Sequence, residues 1–424
     1  MTVTFVWRKI MRRVSSQMDN MDTQANLRLQ ESRLNKQNNQ LGSQRRIQEL
    51  RDDPIAAGHL VRYQSYLSRV QNFEKNAQTL TDQFAQREGY MNNSLNIMQR
   101  VRELAVTGAN GVYTKDDMKN MATEVDELLR ELVQNANATG EDGNSLFAGT
   151  NTKTQAFDIE MGNVSGSGIP LIENVRYNGN VDSVNVEIDE HKYLSTDNAG
   201  NRTFWAERQQ LYGGRDGSSW QASADGVISV DGAQVQVNAG DNIYSLVSKI
   251  NDSGAAVKAS VDPVTRGLNL ETTDARQLWL QDVSGTSLSE LGIVKEQSQK
   301  PPYNLGTSVR VSGGSLFDTV IALRNALLTG DQESIGGRVL GSLDQGLGNL
   351  VARVAKSGSE YERARLNVTR NSGTALNVTQ LISNEGDLDI SKAATDMKMM
   401  DYTHQATLST AAKLYSNTLL NYIK

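Results

Sequence analysis

Residues 387–424 read DLDISKAATDMKMMDYTHQATLSTAAKLYSNTLLNYIK, with no glycine or proline among them. Ala393, Met397, Met400, His404, Thr407, Ala411, Leu414 and Thr418 recur there at alternating spacings of four and three. That spacing predicts one seam of a helix, and Leu408, Tyr415, Leu419 and Ile423 widen the stripe on one flank. A lone helix with a narrow seam of small residues is marginal in water, so the seam requires a partner.

The other end of the chain supplies a candidate. Val14, Met18, Met21 and Ala25 follow at spacings of four and three, and then Leu27, Leu34 and Leu41 at seven. The surrounding Asn, Gln and Arg leave this segment poorly ordered in isolation. Its basic residues flank a heptad seam without interleaved aromatics, which reads as a solvated helix face and not as a nucleic-acid surface.

Between the two seams the pattern is nested. Asp53 is placed to cap a long helix that begins at Pro54, with Tyr66, Val70, Phe73, Ala77, Leu80 and Phe84 opening its heptad-like register. After a turn-rich TGANGVYTKDD, a second helix runs from about Asp116 to near Gly140, and the two form a helical hairpin. Residues 157–312 are glycine-rich with short alternating runs, the texture of strands. Here DGVISVDGAQVQV predicts a hairpin, with Ile228 and Val230 facing Val235 and Val237. AGDNIYSLVSKINDSG predicts a short helix, and VKASVDPVTRGLNLET a hairpin turned at Asp262-Pro263. Helical pattern returns at Leu316–Leu328 and again from Leu343 to Ile382.

The expected fold class is therefore α+β: long terminal α-helices forming an elongated helical bundle, with an inserted mainly-β middle domain. The expected division is 1–50 with 386–424 as a terminal coiled-coil assembly region, 51–156 with 313–385 as a long-helix core, and 157–312 as a β-rich outer domain.

Composition narrows the function. A chain of 424 residues has room for two or three domains, and 38% hydrophobic with 6% aromatic residues suits extended helical packing. The net charge of −6 steers it neither to nucleic acid nor to anionic membrane. With no cysteine, disulfide frameworks and thiolate chemistry are excluded. No apolar run approaches the roughly 18 residues of a membrane span. In MTVTFVWRKIMRRVSS the basic residues follow the apolar patch, the reverse of a secretory signal, and Met11 is the expected native start.

His59, His191 and His404 lie in separate segments, and the sequence holds no phosphate loop, HExxH or nucleophile elbow. Acidic clusters such as Asp52-Asp53 and Asp116-Asp117 sit at predicted helix starts, where capping accounts for them. No catalytic residue, metal or cofactor is expected.

The start MRRVSSQMDNM, the segment RDDPIAA, the phrase NSLFAGTNTKTQAF and the ending from Ala393 onward resemble the bacterial flagellin superfamily, on the side of its hook-filament junction proteins. Residues 226–283 are similar to the flagellin hook IN motif. The resemblance implies a structural adaptor that forms a ring with copies of itself between the hook-side junction protein, hook-associated protein 1, and the flagellin filament. It further implies export by the flagellar type III system with an export chaperone and without a cleaved signal peptide. The location is then a flagellum outside the cell or in the periplasm, with a filament subunit as the alternative. The assembly interface would comprise Val14, Met18, Met21, Leu27, Leu34 and Leu41 with Ala393, Met397, Met400, His404, Ala411, Leu414, Tyr415 and Leu419.

Overall fold

A computed structural model describes residues 3–196, 199–295 and 300–420, with side chains described between 21 and 413 in those segments. The elements begin with α1 (Val3–Ser43), α2 (Pro54–Ala109) and α3 (Lys115–Ala136). Strands β1 (Phe157–Gly162), β2 (Leu171–Tyr177), β3 (Val184–Asp189) and β4 (Lys192–Thr196) follow, then the short α4 (Gly200–Thr203) and β5 (Gln210–Tyr212). Next come β6 (Gly226–Val230), β7 (Ala233–Val237), α5 (Ile243–Asp252), β8 (Val257–Val261), β9 (Leu268–Thr272), β10 (Leu280–Ser284), α6 (Ser287–Glu290) and β11 (Arg310–Ser312). The chain closes with α7 (Leu316–Thr329), α8 (Gln332–Ser334), a π-helical turn (Ile335–Val339), α9 (Leu340–Gly386) and α10 (Ile390–Leu420). The α+β class expected from the sequence is the one observed: long helices at both ends and small antiparallel sheets between them.

Helix starts are set by local chemistry. Asp53 Oδ1 accepts from the Ala56 amide at 3.1 Å ahead of Pro54, as the sequence predicts. Thr114 with Asp117, and Ser315 with Asp318, form reciprocal capping boxes at α3 and α7. Helix α7 ends on Gly330 at φ 75°, a left-handed position that glycine fills without strain. Helix α3 packs against α7.

The chain divides into two compact units, residues 1–72 with 370–424 and residues 73–369. In the second unit, one core joins α2, α3, α7 and α9 to β1 and β2. Its centre is an aromatic cluster in which Phe157 lies 5.0 Å from Phe317 and 5.7 Å from Phe204, ring centre to ring centre. Each such pair contributes about 0.5–1.5 kcal/mol beyond area burial. The first two strands therefore share the helical core.

A separate core lies under the sheets β10-β6-β7 and β11-β5-β9-β8, closed by α5. Both predicted hairpins form, β6–β7 across Asp231-Gly232 and β8–β9 across the Asp262-Pro263 turn. Their register corrects one detail: Ile228 pairs with Val235, but Val230 pairs with Ala233 and Val237 with Gly226. A two-residue turn sets this offset, because the residues that flank it must pair with each other.

Candidate assembly interface

Within the first unit, α1 and α10 run antiparallel. Gln37 Nε2 donates to the Ala393 carbonyl at 3.4 Å, and Gln30 Nε2 donates to Thr407 Oγ1 at 3.2 Å, so positions rising along one helix meet positions falling along the other. On α10 the seam is the one the spacing predicts. Ala393 and Ala411 are buried, and Met397, Met400, His404 and Thr407 are half-buried between them.

On α1 the structure selects one of two phases that the sequence contains. Thr23, Leu27, Gln30, Leu34, Gln37 and Leu41 make the half-buried stripe, again at spacings of four and three. Met21 is 68% exposed and Ala25 is exposed as well. Met21, expected in the seam, lies outside the stripe that α1 turns towards α10. Residues two apart on an α-helix point about 200° away from each other, so a seam through Thr23 and Leu27 turns Met21 and Ala25 outward. Leu408 also leaves the stripe it was expected to widen. Val14, Met18, Leu414, Tyr415 and Leu419 lie outside the residues whose side chains are described.

Gln30 and Gln37 are the seam residues that sequence reasoning missed. Apolar spacing cannot find a glutamine, but a heptad count from Leu27 and Leu34 passes through both. Around Gln30 the packing is loose. Its Oε1 and His404 Nδ1 have no hydrogen-bond partner, and a cavity of about 270 Å³ opens beside them, lined by Gln30, Arg33, Asp396 and Met400 among others. Polar groups at such positions lower stability and specify register.

A polar clasp closes the base of the pair. The Arg46 amide donates to the Gly386 carbonyl at 2.8 Å, and the Leu388 amide to Gln44 at 3.0 Å. The Arg46 guanidinium donates to the Glu385 carbonyl at 2.7 Å and lies 3.4 Å from Asp53. His59 Nδ1 lies 3.4 Å from Glu385. Beside the clasp, Lys36 reaches Asp52 at 2.6 Å, and the Gln48 and Glu49 amides donate to the same carboxylate. The Lys36 hydrogen bond, with these amides, holds the Asp52 carboxyl down at about 2.

Among the described residues there is no cluster of metal-ligating side chains, and no helix is long and apolar enough to cross a membrane. His59, His191 and His404 remain in separate places, and His191 sits at the β3–β4 turn with φ 59°.

The sequence matches two family models: the bacterial flagellin N-terminal helical region over residues 14–152, and the flagellin hook IN motif over residues 224–274. The chain is 24% identical over 255 residues to flagellar hook-associated protein 3 of Escherichia coli, covering 59% of this chain and 72% of that one. It is 27% identical over 265 residues to flagellin of Salmonella muenchen, covering 60% of this chain and 50% of that one. Thus it spans about half the length of that flagellin. Among solved structures, the flagellar hook-associated protein 3 of Legionella pneumophila aligns with a TM-score of 0.46 at 15% identity, covering 76% of this chain and 97% of that one.

Proposed function

We propose that this chain, whose residues 14–152 and 224–274 match the flagellin N-terminal and hook IN motif models, is a structural subunit of the flagellum, placed where hook meets filament and assembled through α1 and α10. The reading assigns no catalytic step. The observation that carries it is the shallowness of the α1–α10 seam. Ala393 and Ala411 are buried on α10, but Met397, Met400 and His404 are only half-covered. Met21 and Leu29 on α1, and Met399 and Tyr402 on α10, stay exposed. Terminal helices that cover so little of their own apolar surface are suited to packing against neighbouring copies.

In this reading the terminal helices gain most of their order on assembly, after export of the unfolded chain through the flagellar type III channel with a chaperone. Copies form a ring that meets hook-associated protein 1 on one side and flagellin on the other. The absence of cysteine suits passage of an unfolded chain. The similarity to flagellin favours one rival, a filament subunit. The test is a deletion strain imaged for hooks without filaments, paired with purified protein at high concentration. The junction reading requires bare hooks and no long polymers from the purified chain. Long filaments formed by the purified protein alone would establish the rival.

A further inference from the structure

Along β10 the alternation of a strand sends Leu280 into the core, while Gln281 and Val283 are exposed and Trp279, just ahead of the strand, is half-buried. The register of the β10-β6-β7 sheet sets Gln281 opposite Ser229, and Ser229 opposite Gln234, so the three form one polar row across the sheet. This row lines an open cleft of about 670 Å³ together with Trp279 and Val283. The segment after β2, with Asn178, Asn180 and Asp182, lines it too, as does Tyr303. Its volume falls in the range of small-molecule sites, roughly 300–1,000 Å³. Every lining residue belongs to the second unit.

The aromatic groups of the cleft are held in place by their neighbours. Trp279 meets Tyr177 edge to face, 6.5 Å between ring centres. The Tyr303 hydroxyl accepts from the Tyr177 amide at 2.7 Å, and the Arg176 guanidinium lies over the Tyr303 ring at 5.1 Å. Asn180 is fixed as well: its Oδ1 accepts from the Thr150 amide at 2.8 Å, and its Nδ2 donates to Asp182 at 3.1 Å. A carboxamide sets a donor and an acceptor side by side, and adjacent hydroxyls of a sugar ring offer the matching pair. The C–H face of the same ring suits an indole surface. Other ligand classes fit less well. A phosphate calls for converging cations or a helix N-terminus, whereas Arg176 is already paired with Glu160 at 3.0 Å and exposed Lys300 is the other lining cation. An extended peptide calls for an open sheet edge, and the polar row is a side-chain face.

We propose that this cleft binds a short uncharged oligosaccharide, with one sugar ring stacked on Trp279 and its hydroxyls paired with Gln281, Ser229 and Gln234. The Asn180 and Asp182 side chains serve the hydroxyls of a neighbouring ring. The site is independent of the proposed place in the flagellum, because none of its residues lies on α1 or α10.

Saturation-transfer NMR and calorimetry on the full chain test the site, with chitotriose, maltotriose and lactose as probes at millimolar concentration. Transfer to the ring protons of at least one of these sugars is expected. Gln234→Ala with Gln281→Ala should weaken its Kd by about tenfold and leave the melting temperature unchanged, because both side chains are exposed. Trp279→Leu, which keeps an apolar side chain against the core but removes the stacking face, should weaken binding at least as much. Absence of binding by all three sugars overturns the proposal. A Kd unchanged in both variants would place the sugar elsewhere and overturn it too, and binding of ADP but of none of the sugars would assign the cleft to a nucleotide instead.

Discussion

Gln30 and Thr407 meet across the α1–α10 seam through a 3.2 Å hydrogen bond that joins residues 377 apart in the sequence. It lies in a stripe that, apart from Gln37 and His404, is made of leucine, methionine, alanine and threonine, and His404 Nδ1 beside it has no hydrogen-bond partner. Removing it should therefore affect register more than stability. Gln30→Ala is expected to cost about 1 kcal/mol of local stability, seen as faster hydrogen exchange along α10. Gln30→Leu should slow exchange but impair incorporation into flagella, because an all-apolar seam can slip by a heptad. Full motility with Gln30→Leu would show that this bond does not specify register.

Ala411 is 5% exposed at the far end of the described seam. Ala411→Arg places a long charged side chain where a methyl group packs, and it should abolish assembly and swimming. The second unit has its own cores, so its unfolding free energy should stay within about 0.5 kcal/mol of wild type. Swimming cells carrying only this variant would remove the seam from the assembly mechanism.

Arg324 is fully buried, with Nη1 2.7 Å from Asp126 and Nη2 2.7 Å from the Ile172 carbonyl. Asp126→Ala leaves that guanidinium uncompensated and should cost about 3–5 kcal/mol in urea unfolding of the second unit. The double variant Asp126→Leu with Arg324→Met should recover much of this, because two well-packed apolar groups leave no charge to desolvate. A double variant no more stable than the single one would mean that the Ile172 and Asn325 contacts of Arg324, and not its charge pairing, hold the site.

The Asp52 carboxyl, held at about 2 by Lys36 and two backbone amides, makes the α1–α2 joint acid-sensitive. Its folded value lies below the unfolded value of about 3.9, so the contribution is complete above that pH and is lost as pH falls towards 2. A carbon-detected titration should place the Asp52 midpoint near 2. Lys36→Met should move it up towards the ordinary carboxylate value. No movement in that variant would assign the depression to the backbone amides alone.

How far each feature could be read from the sequence follows from its range. The α10 seam was legible because an uninterrupted segment with apolar residues every four and three positions has one amphipathic solution. The Asp53 cap and both hairpins were legible because turn and cap chemistry act within a few residues. On α1, two apolar phases coexist two residues apart, and Met21 reads as well as Leu27 until a partner helix is present. The Arg46 clasp and the cleft beside Trp279 involve residues without local pattern, brought together only when distant segments pack.

Local spacing thus determined that this chain has long terminal helices, a strand-rich middle and a helical seam at each end, because periodicity of 3.6 and 2 is written into consecutive residues. Tertiary packing decided which face of α1 turns inward, that glutamine occupies the seam at Gln30 and Gln37, and that Arg324 lies buried against an acid 198 positions away. The physical reason is that a side chain's cost or benefit in a seam or core depends on what lies opposite, and the opposite residue is chosen by the fold.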